Sequence, residues 1–415
     1  MIQGTTDKGT TIKGPTDKGT TIKGPTDKGT TIKGTTDKGT TIKGTPIQGT
    51  NTNDSRDNFL INDVRSTFKN ITFSNFQKSK ARYELIKSLC DEKIENACYW
   101  SAEFICSGHY LELWDIILYF VYKYIHNGNP KLALYLNMRY NNFETIINNG
   151  YSQNILVLRN NDKIRKLFCE IICVLCYSVK KNVICDIKLD KHESFDIASM
   201  SERFKAPNVS YIEYILKDDD PKELIIPINE LVYNLINKNI INVYYWLEWI
   251  IEYENICKKK KKKCACENRS FAPKGSTHDI IWIIWDILLY YSDPSLTSRT
   301  YNLHTNNNNN NNNEIKYKII KSLLELFVIK YSNSVKKKRK YIMYFAFALL
   351  IEHNPINSAI ITYPEKIEAI VSKIDNIYKD IKKNEISPKT DYLFTNLNKS
   401  NIEKTMEKIE LINNF

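Results

Sequence analysis

Lysine offers the clearest chemistry in this chain. Six lysines follow one another at Lys258–Lys263, and a second basic cluster lies at Lys336–Lys340. Such clusters can neutralise phosphates, with an affinity that falls steeply as the salt concentration rises. No aromatic residues are interleaved with them, so readout of bases is not expected. The sequence predicts non-specific nucleic-acid binding here, with solvated loops as the alternative. The candidate contacts are Lys258, Lys259, Lys260, Lys261, Lys262, Lys263, Lys336, Lys337, Lys338, Arg339 and Lys340.

Four metal-ligating side chains lie beside the first lysine cluster, at Cys257, Cys264, Cys266 and His278. Thiolates and imidazole suit a tetrahedral zinc site. The spacing fits no common zinc finger, and the lysines between the first two cysteines would repel a cation. We therefore predict a surface loop here rather than a metal centre.

A second group of cysteines, Cys169, Cys173 and Cys176, shares one face of a predicted helix with apolar neighbours. In such a pattern cysteine packs as a small hydrophobic residue, so we expect a buried stripe rather than a metal site. Most of the ten cysteines lie in apolar helical patterns of this kind, which favours a reducing compartment. No cofactor is predicted.

Acidic residues cluster in one polar stretch and could bind Mg²⁺ for phosphodiester cleavage. The stretch holds Asp186, Asp190, His192, Glu193 and Asp196. A loop between helices has the same composition, and no second motif supports catalysis. The three aspartates at 218–220 offer no better site. We predict no catalytic residue and no enzymatic activity, with a metal-dependent nuclease as an alternative.

The first fifty residues are tandem repeats that cannot form a core. The sequence TDKGTTIKG occurs at 6–14, 16–24, 26–34 and 36–44, and glycine recurs at every fifth position from Gly4 to Gly49. A collagen triple helix needs glycine at every third position. Because large apolar residues are almost absent, we expect the segment to be disordered. The five-residue period corresponds to a fifteen-nucleotide period in the gene. Neutral tandem expansion would explain such a repeat as well as a role of the nucleotide sequence itself.

The rest of the chain contains an internal duplication. Three pairs of segments match in the same order: 83–105 with 229–251, 113–120 with 284–291, and 163–170 with 318–325. Apolar residues at three- and four-residue spacing predict helices throughout. The first match fits a helical hairpin with a Tyr-Trp pair in its seam. We therefore expect Trp100 and Trp246 in the core.

These patterns predict an all-α fold with six segments along the chain. The segments are 1–50, disordered repeats; 51–79, a linker; 80–190, helical lobe 1; 191–225, a second linker; 226–350, helical lobe 2 with lysine-rich and asparagine-rich insertions; and 351–415, a C-terminal helical extension. In the extension, isoleucines recur at three- and four-residue steps, which favours packing on the body over a short coiled coil. These are Ile367, Ile370, Ile374, Ile377 and Ile381.

Charge and hydropathy restrict the partners of the chain. The formal net charge is +12 over 415 residues, and the tail and the two basic clusters carry more than all of it. The basic character therefore belongs to local patches. No apolar stretch typical of a signal peptide is seen at the N-terminus, and the most apolar run, 279–291, is too short to span a membrane. We expect no secretion and no membrane partner, and leave the oligomeric state open.

Residues 97–130 resemble the C-terminal helical region of clamp-loader-like recombination ATPases. The matching positions are Ala97, Tyr99, Trp100, Ala102 and Gly108, with looser matches at Gly128 and Pro130. The resemblance implies a helical collar used for oligomerisation or DNA-associated assembly. It does not extend to ATP hydrolysis, because the chain has no G-x-x-x-x-G-K-[ST] loop to bind phosphates.

The whole chain resembles uncharacterised giant-virus proteins of the mimivirus kind, through its asparagine runs, its AT-biased composition and the blocks ENACYW…GNPKL and KNIINVYYWLEWI. Four short repeats before a helical body look like the repeat-bearing member of the mimivirus virophage-resistance element (MIMIVIRE). That resemblance implies a partnership with a helicase and a nuclease, and a place in the viral factory of the host cytoplasm. It also implies that the coding repeat echoes the sequence of an invading virophage.

The sequence thus predicts a non-enzymatic accessory protein in antiviral defence against a virophage, acting through nucleic-acid binding or through its repeats. A helical protein–protein scaffold of the viral factory is the main alternative. In that alternative the two lobes form a groove for a viral partner.

Overall fold

Helices make up almost all the regular secondary structure, as predicted. A computed structural model describes residues 59–386, with gaps at 64, 66, 152–154, 182–186, 190–194, 196–197 and 297–306. Within that part of the chain there is no β-strand, which confirms the all-α fold, and one isolated bridge joins Ile71 to Gln77. The repeat tail and the five candidate nuclease residues between 186 and 196 lie outside the described residues.

Each lobe begins with a helical hairpin and continues with longer connections. The helices of lobe 1 are α1 (Lys78–Cys90), α2 (Ile94–Cys106), α3 (Tyr110–Phe120), α4 (Leu132–Ile146), α5 (Ile155–Arg159) and α6 (Asp162–Tyr177). Those of lobe 2 are α7 (Ile225–Ile236), α8 (Ile240–Lys259), α9 (Ile281–Ser292), α10 (Asn307–Val328), α11 (Asn333–Lys338) and α12 (Lys340–Ile351). The extension contributes α13 (Pro364–Val371) and α14 (Asp375–Lys382). None of the described helices is long and apolar enough to cross a membrane.

The turns of the two hairpins, α1–α2 and α7–α8, have the same geometry. Glu92 in the first turn and Lys238 in the second lie at aligned positions and have left-handed φ angles of 59° and 57°. In both turns, the N–H of the next residue donates to the carbonyl five residues earlier at 2.9 Å. This bond belongs to a Schellman motif, which satisfies the last carbonyls of a helix. The gapless alignment of the two hairpins therefore holds in three dimensions.

Aromatic side chains fill the interior of both lobes. Trp114 and Trp285, at aligned positions of α3 and α9, are both fully buried. Trp246 is buried as predicted, with 2% of its surface exposed. Trp100 is only partly buried and packs edge-on against Phe76, with ring centroids 5.1 Å apart. The Tyr-Trp pair of the first hairpin thus lies at the edge of the core.

The third sequence match joins helices at different places in the two lobes. It pairs α6 with α10, yet α6 packs against α1, α2 and α4, whereas α10 packs against α4, α9 and α12. The helix that packs against the second hairpin is α12, which contacts α7 and α8. By its packing, therefore, α12 takes in lobe 2 the place that α6 has in lobe 1, and the correspondence of 163–170 with 318–325 stays a prediction from the sequence.

Both flanking segments complete the core of lobe 1. In the extension, α13 packs on α6 and α14 packs on α2. Ile367, Ile374 and Ile381 are buried there, which confirms packing on the body rather than a separate coiled coil. From the predicted linker before α1, Ile61 and Phe68 are also buried.

Candidate nucleic-acid interface

The first lysine cluster forms the C-terminal end of α8 and the turn that follows it. The N–H of Lys262 donates to the Cys257 carbonyl at 2.8 Å, and the N–H of Lys261 donates to the Lys258 carbonyl at 3.2 Å. These two bonds make a Schellman motif with Lys261 in the left-handed position, at φ 54°. Positive side chains are favoured here, because the C-terminal end of a helix carries partial negative charge.

Replacing Lys261 by glycine is expected to stabilise the fold by about 1 kcal/mol, because a left-handed residue with a Cβ is strained. Lys260 provides the matched control, since its φ of −81° places it in a region that any residue adopts. Lys260→Gly should therefore give no gain. Urea unfolding of both variants measures the difference, and an equal change in their midpoints would contradict the strain.

The second basic cluster divides into exposed and buried residues. Lys337 and Lys338 are exposed, but Lys336 is only 1% exposed. The Lys336 ammonium lies between two buried carboxylates: it is 2.8 Å from Asp279 Oδ1, and it donates a hydrogen bond to Glu254. The prediction that Lys336 contacts nucleic acid is therefore wrong, because its charge is enclosed by the protein.

Arg339 and Lys340 are also engaged in the fold. The Arg339 guanidinium is buried, lies 2.8 Å from Asp115 of lobe 1, and donates to the carbonyls of Phe327 and Ile329 at 2.9 and 2.5 Å. It thereby satisfies carbonyl groups at the end of α10. Lys340 pairs with Glu248 at 2.6 Å. Arg339 must also be removed from the predicted nucleic-acid contacts.

The exposed lysines of the two clusters lie on one surface. Lys258 Nζ donates to Asn333 Oδ1 at 3.1 Å, so the end of α8 touches the beginning of α11. Lys336 on α11 reaches Glu254 on α8, one turn before Lys258. We name this surface the lysine patch, which consists of Lys258, Lys259, Lys260, Lys261, Lys262, Lys263, Lys337 and Lys338.

Carboxylates balance only part of the charge of the lysine patch. Lys258 pairs with Glu254 at 2.5 Å, Lys262 with Glu223 at 2.7 Å, and Lys338 lies 3.7 Å from Asp115. Within the described part of the chain, the other five lysines of the patch have no acidic partner within 4 Å. These are Lys259, Lys260, Lys261, Lys263 and Lys337. The patch therefore presents a local excess of positive charge that an anionic partner can neutralise.

Of the four side chains considered as zinc ligands, Cys264, Cys266 and His278 lie in the loop that follows the patch, and Cys257 lies on α8. The N–H of Cys266 donates to the His278 carbonyl at 3.0 Å, and His278 Nδ1 lies 3.0 Å from the Cys266 carbonyl oxygen. This pairing closes the loop through its backbone. Among the described residues, Cys257, Cys264, Cys266 and His278 do not bring three ligand atoms within 4.8 Å of one another, so no metal centre is assembled here.

An ion-pair group that was not predicted from the sequence anchors the base of this loop. The Arg269 guanidinium binds Asp220 with two N–H···O bonds of 2.6 Å, and its Nε donates to Asp286 at 2.7 Å. Arg269 and Asp220 are almost completely buried. Asp286 aligns with Asp115, which pairs with Arg339. The sequence contains one signal for such a group, which is the aspartate inside each of the apolar runs LWDIILYF and IWDILLYY. A buried carboxylate needs a partner, so each aspartate indicates a cation nearby.

The two carboxylates that flank Arg269 respond differently to burial. Burial alone would raise the pKa of Asp220, but the hydrogen bonds from Arg269 and from the N–H groups of Lys217 and Glu267 bring it below the ordinary value. At Asp286, burial outweighs the bond from Arg269, so its pKa is raised. Asp220 is therefore the firmly ionised partner of the pair.

Similarity to known proteins does not extend these assignments. Neither protein-family models, nor curated proteins, nor solved structures give a match to this chain. The resemblance to giant-virus proteins stays a prediction, and the function has to be argued from the surface and core of the chain itself.

Proposed function

We propose that this chain binds the phosphate backbone of nucleic acid, without sequence preference, through the lysine patch. The observation that carries this proposal is the clustering of eight exposed lysines at the junction of α8 and α11, with acidic partners for only three of them. Lysine neutralises phosphates as a point charge, and neutralisation releases counterions from the nucleic acid. The patch contains no aromatic side chain on which a base could stack.

The wider role that we propose is an accessory function in giant-virus defence against a virophage, with a helicase and a nuclease as partners. This part rests on the repeats TDKGTTIKG and on the resemblance that they carry. Synonymous recoding of the codons for residues 5–45 tests whether the nucleic-acid repeat acts. We expect recoding to abolish resistance while leaving the protein unchanged, and a recoded virus with normal resistance would disprove the role of the repeat.

The binding proposal is tested by fluorescence anisotropy with a labelled duplex of mixed sequence. The test variant replaces Lys259, Lys260, Lys261, Lys263 and Lys337 by serine and leaves the buried Lys336 and Arg339 in place. For wild type we expect log K to fall linearly with log salt, with a slope of about −0.9 per phosphate contacted. The variant should bind more weakly, and the magnitude of that slope should fall by up to about 4.5, or about 0.9 for each of the five lysines.

The control variant removes the same amount of charge elsewhere on the protein. It replaces five exposed lysines outside the patch by serine: Lys69, Lys87, Lys366, Lys373 and Lys379. We expect the control to keep most of the wild-type affinity and salt slope. Equal losses in the two variants would show that net charge, and not the patch, attracts the nucleic acid, and the proposal would fail.

A cleft on lobe 1 with apolar side chains along part of its wall favours the scaffold alternative. A cleft of about 540 Å³ is lined by Leu60, Ile146, Leu156 and Val157 among other residues. Val157 is 42% exposed, and its neighbour Ile155 on α5 is 51% exposed. Exposed apolar side chains beside a cleft are typical of protein-binding surfaces. A scaffold would keep its protein partners through nuclease treatment, whereas partners held by shared nucleic acid would be lost.

A further inference from the structure

Three buried thiols meet where α2 packs on α6. Cys98 lies on α2, Cys169 and Cys173 lie one turn apart on α6, and none is more than 3% exposed. The three sulfur atoms all lie within 4.8 Å of one another, with 3.9 Å between Cys98 Sγ and Cys169 Sγ. We infer that Cys98, Cys169 and Cys173 form a binding site for one soft monovalent metal ion of the Cu(I) class.

The spacing of the sulfur atoms fits direct coordination. A bond of about 2.3 Å from a metal ion to each thiolate places the sulfurs of a planar three-coordinate site about 4 Å apart. The observed 3.9 Å between Cys98 and Cys169 agrees with this value. The other two pairs of sulfur atoms are also within 4.8 Å of each other. Small rotations of the side chains can therefore bring all three sulfurs to the distance that coordination requires.

The number and type of ligands select the ion. Structural zinc sites almost always have four protein ligands. In the described part of the chain, no fourth His, Cys, Asp or Glu joins this cluster. Thiolates are soft ligands, which select Cu(I) over harder ions that prefer oxygen. Three thiolates without a fourth ligand therefore fit Cu(I) better than zinc.

A buried positive charge lies on the same face of α6, one turn before Cys169. Arg165 is 1% exposed and donates to the carbonyls of Arg159 and Phe59 and to the Asn160 side-chain oxygen, at 2.9, 3.2 and 2.8 Å. All three acceptors are neutral, and no described carboxylate pairs with Arg165. A buried charge without a counter-charge is costly. The Tyr378 ring covers the Arg165 guanidinium at 4.0 Å, and an anionic thiolate–metal centre one turn along α6 would add a counter-charge.

Binding of the ion would be coupled both to loss of protons and to folding. Each of the three thiols loses its proton to solvent when it binds the ion, and Cu(I) enters and stays in the same oxidation state. Because the site is closed to solvent, the ion has to enter during folding, so binding and folding are coupled.

The test is refolding of the full chain from denaturant, under anaerobic and reducing conditions, with a small excess of Cu(I) supplied as its acetonitrile complex. Gel filtration then removes loosely bound ions, and copper is measured by mass spectrometry of the metal. We expect wild type to retain about one copper per chain, since the site has one set of ligands. Cys98→Ser and Cys173→Ser should each reduce the retained copper to background.

The matched control is Cys176→Ser, because Cys176 is buried on the same helix but lies outside the cluster. It carries the same cost of a buried hydroxyl and should retain copper like wild type. Circular dichroism confirms that each variant has refolded. Two outcomes would overturn the inference: wild type that retains no copper, or equal retention by Cys173→Ser and Cys176→Ser. A disulfide between Cys98 and Cys169 in the refolded wild type would overturn it as well.

Discussion

Arg269→Met is expected to lower the free energy of unfolding by about 3–5 kcal/mol, which is the usual cost of removing one partner from a buried ion pair. Methionine keeps much of the apolar volume, so the loss reports on charge rather than on a cavity. The change removes the two guanidinium N–H groups from Asp220, which is 6% exposed and keeps only the N–H groups of Lys217 and Glu267, and it removes the Nε bond from Asp286. Urea unfolding at neutral pH measures the effect.

The effect of Arg269→Met should depend on pH. In wild type, the pKa of Asp220 is below its ordinary value, so this carboxylate stabilises the fold above the unfolded pKa of about 3.9. That contribution is lost as the pH falls through the folded pKa. In the variant, Asp220 no longer has its partner and is easier to bury when protonated. The gap between wild type and variant should therefore be largest near neutral pH and should narrow in acid.

Arg203→Met is the control for this experiment. Arg203 is exposed, and its guanidinium lies over the Tyr245 ring at 4.5 Å. Such a contact contributes about 0.5–1 kcal/mol, so the control should change stability by no more than that and without the acid dependence. If Arg269→Met were as mild as the control, the Arg269 ion pairs would not hold the loop in place.

Lys336→Met is expected to destabilise the fold by about 3 kcal/mol or more, because Asp279 and Glu254 are buried carboxylates that share this ammonium. Asp279 would keep no cation, only the hydroxyl of Tyr331, which donates to it at 2.7 Å, and the N–H of Ile281, which donates at 3.1 Å. Glu254 would keep Lys258, so Asp279 carries most of the cost. Denaturant unfolding measures the loss.

The neighbouring Lys337 is the matched control for Lys336. It lies on the same helix but is exposed, and Lys337→Met should change stability by less than about 0.5 kcal/mol. The contrast separates the two halves of the second basic cluster. If the two variants unfolded at the same denaturant concentration, the buried assignment of Lys336 would be wrong. The contrast also shows why nucleic-acid binding has to be tested with Lys336 intact.

The candidate nucleic-acid interface could be predicted only in part, because the ion-pair partners of its buried residues are far away along the chain. The first lysine cluster was correctly predicted to lie on the surface, because six consecutive lysines cannot all be buried. Lys336 and Arg339 lie in a similarly basic stretch of the sequence, yet both are buried. Their partners Glu254 and Asp115 lie 82 and 224 residues away, and no local pattern indicates them.

The cysteine cluster could also be predicted only in part, for the same reason. Cys169, Cys173 and Cys176 share one face in the sequence pattern, and all three are buried as predicted. Which of them meets a third thiol depends on Cys98, 71 residues from Cys169. Helical periodicity shows that a face is apolar, but it does not show which residues of another helix pack against it.

By itself the sequence determined the all-α class, the duplicated hairpins and the position of the exposed lysines at 258–263. These follow from local periodicity and from the gapless match of 83–105 with 229–251, since backbone geometry depends on neighbouring residues. Only the tertiary structure decided that α12 packs on the second hairpin as α6 packs on the first, and which charges and thiols are enclosed. Those outcomes depend on contacts between helices distant in sequence, where burial forces each charge to find a partner.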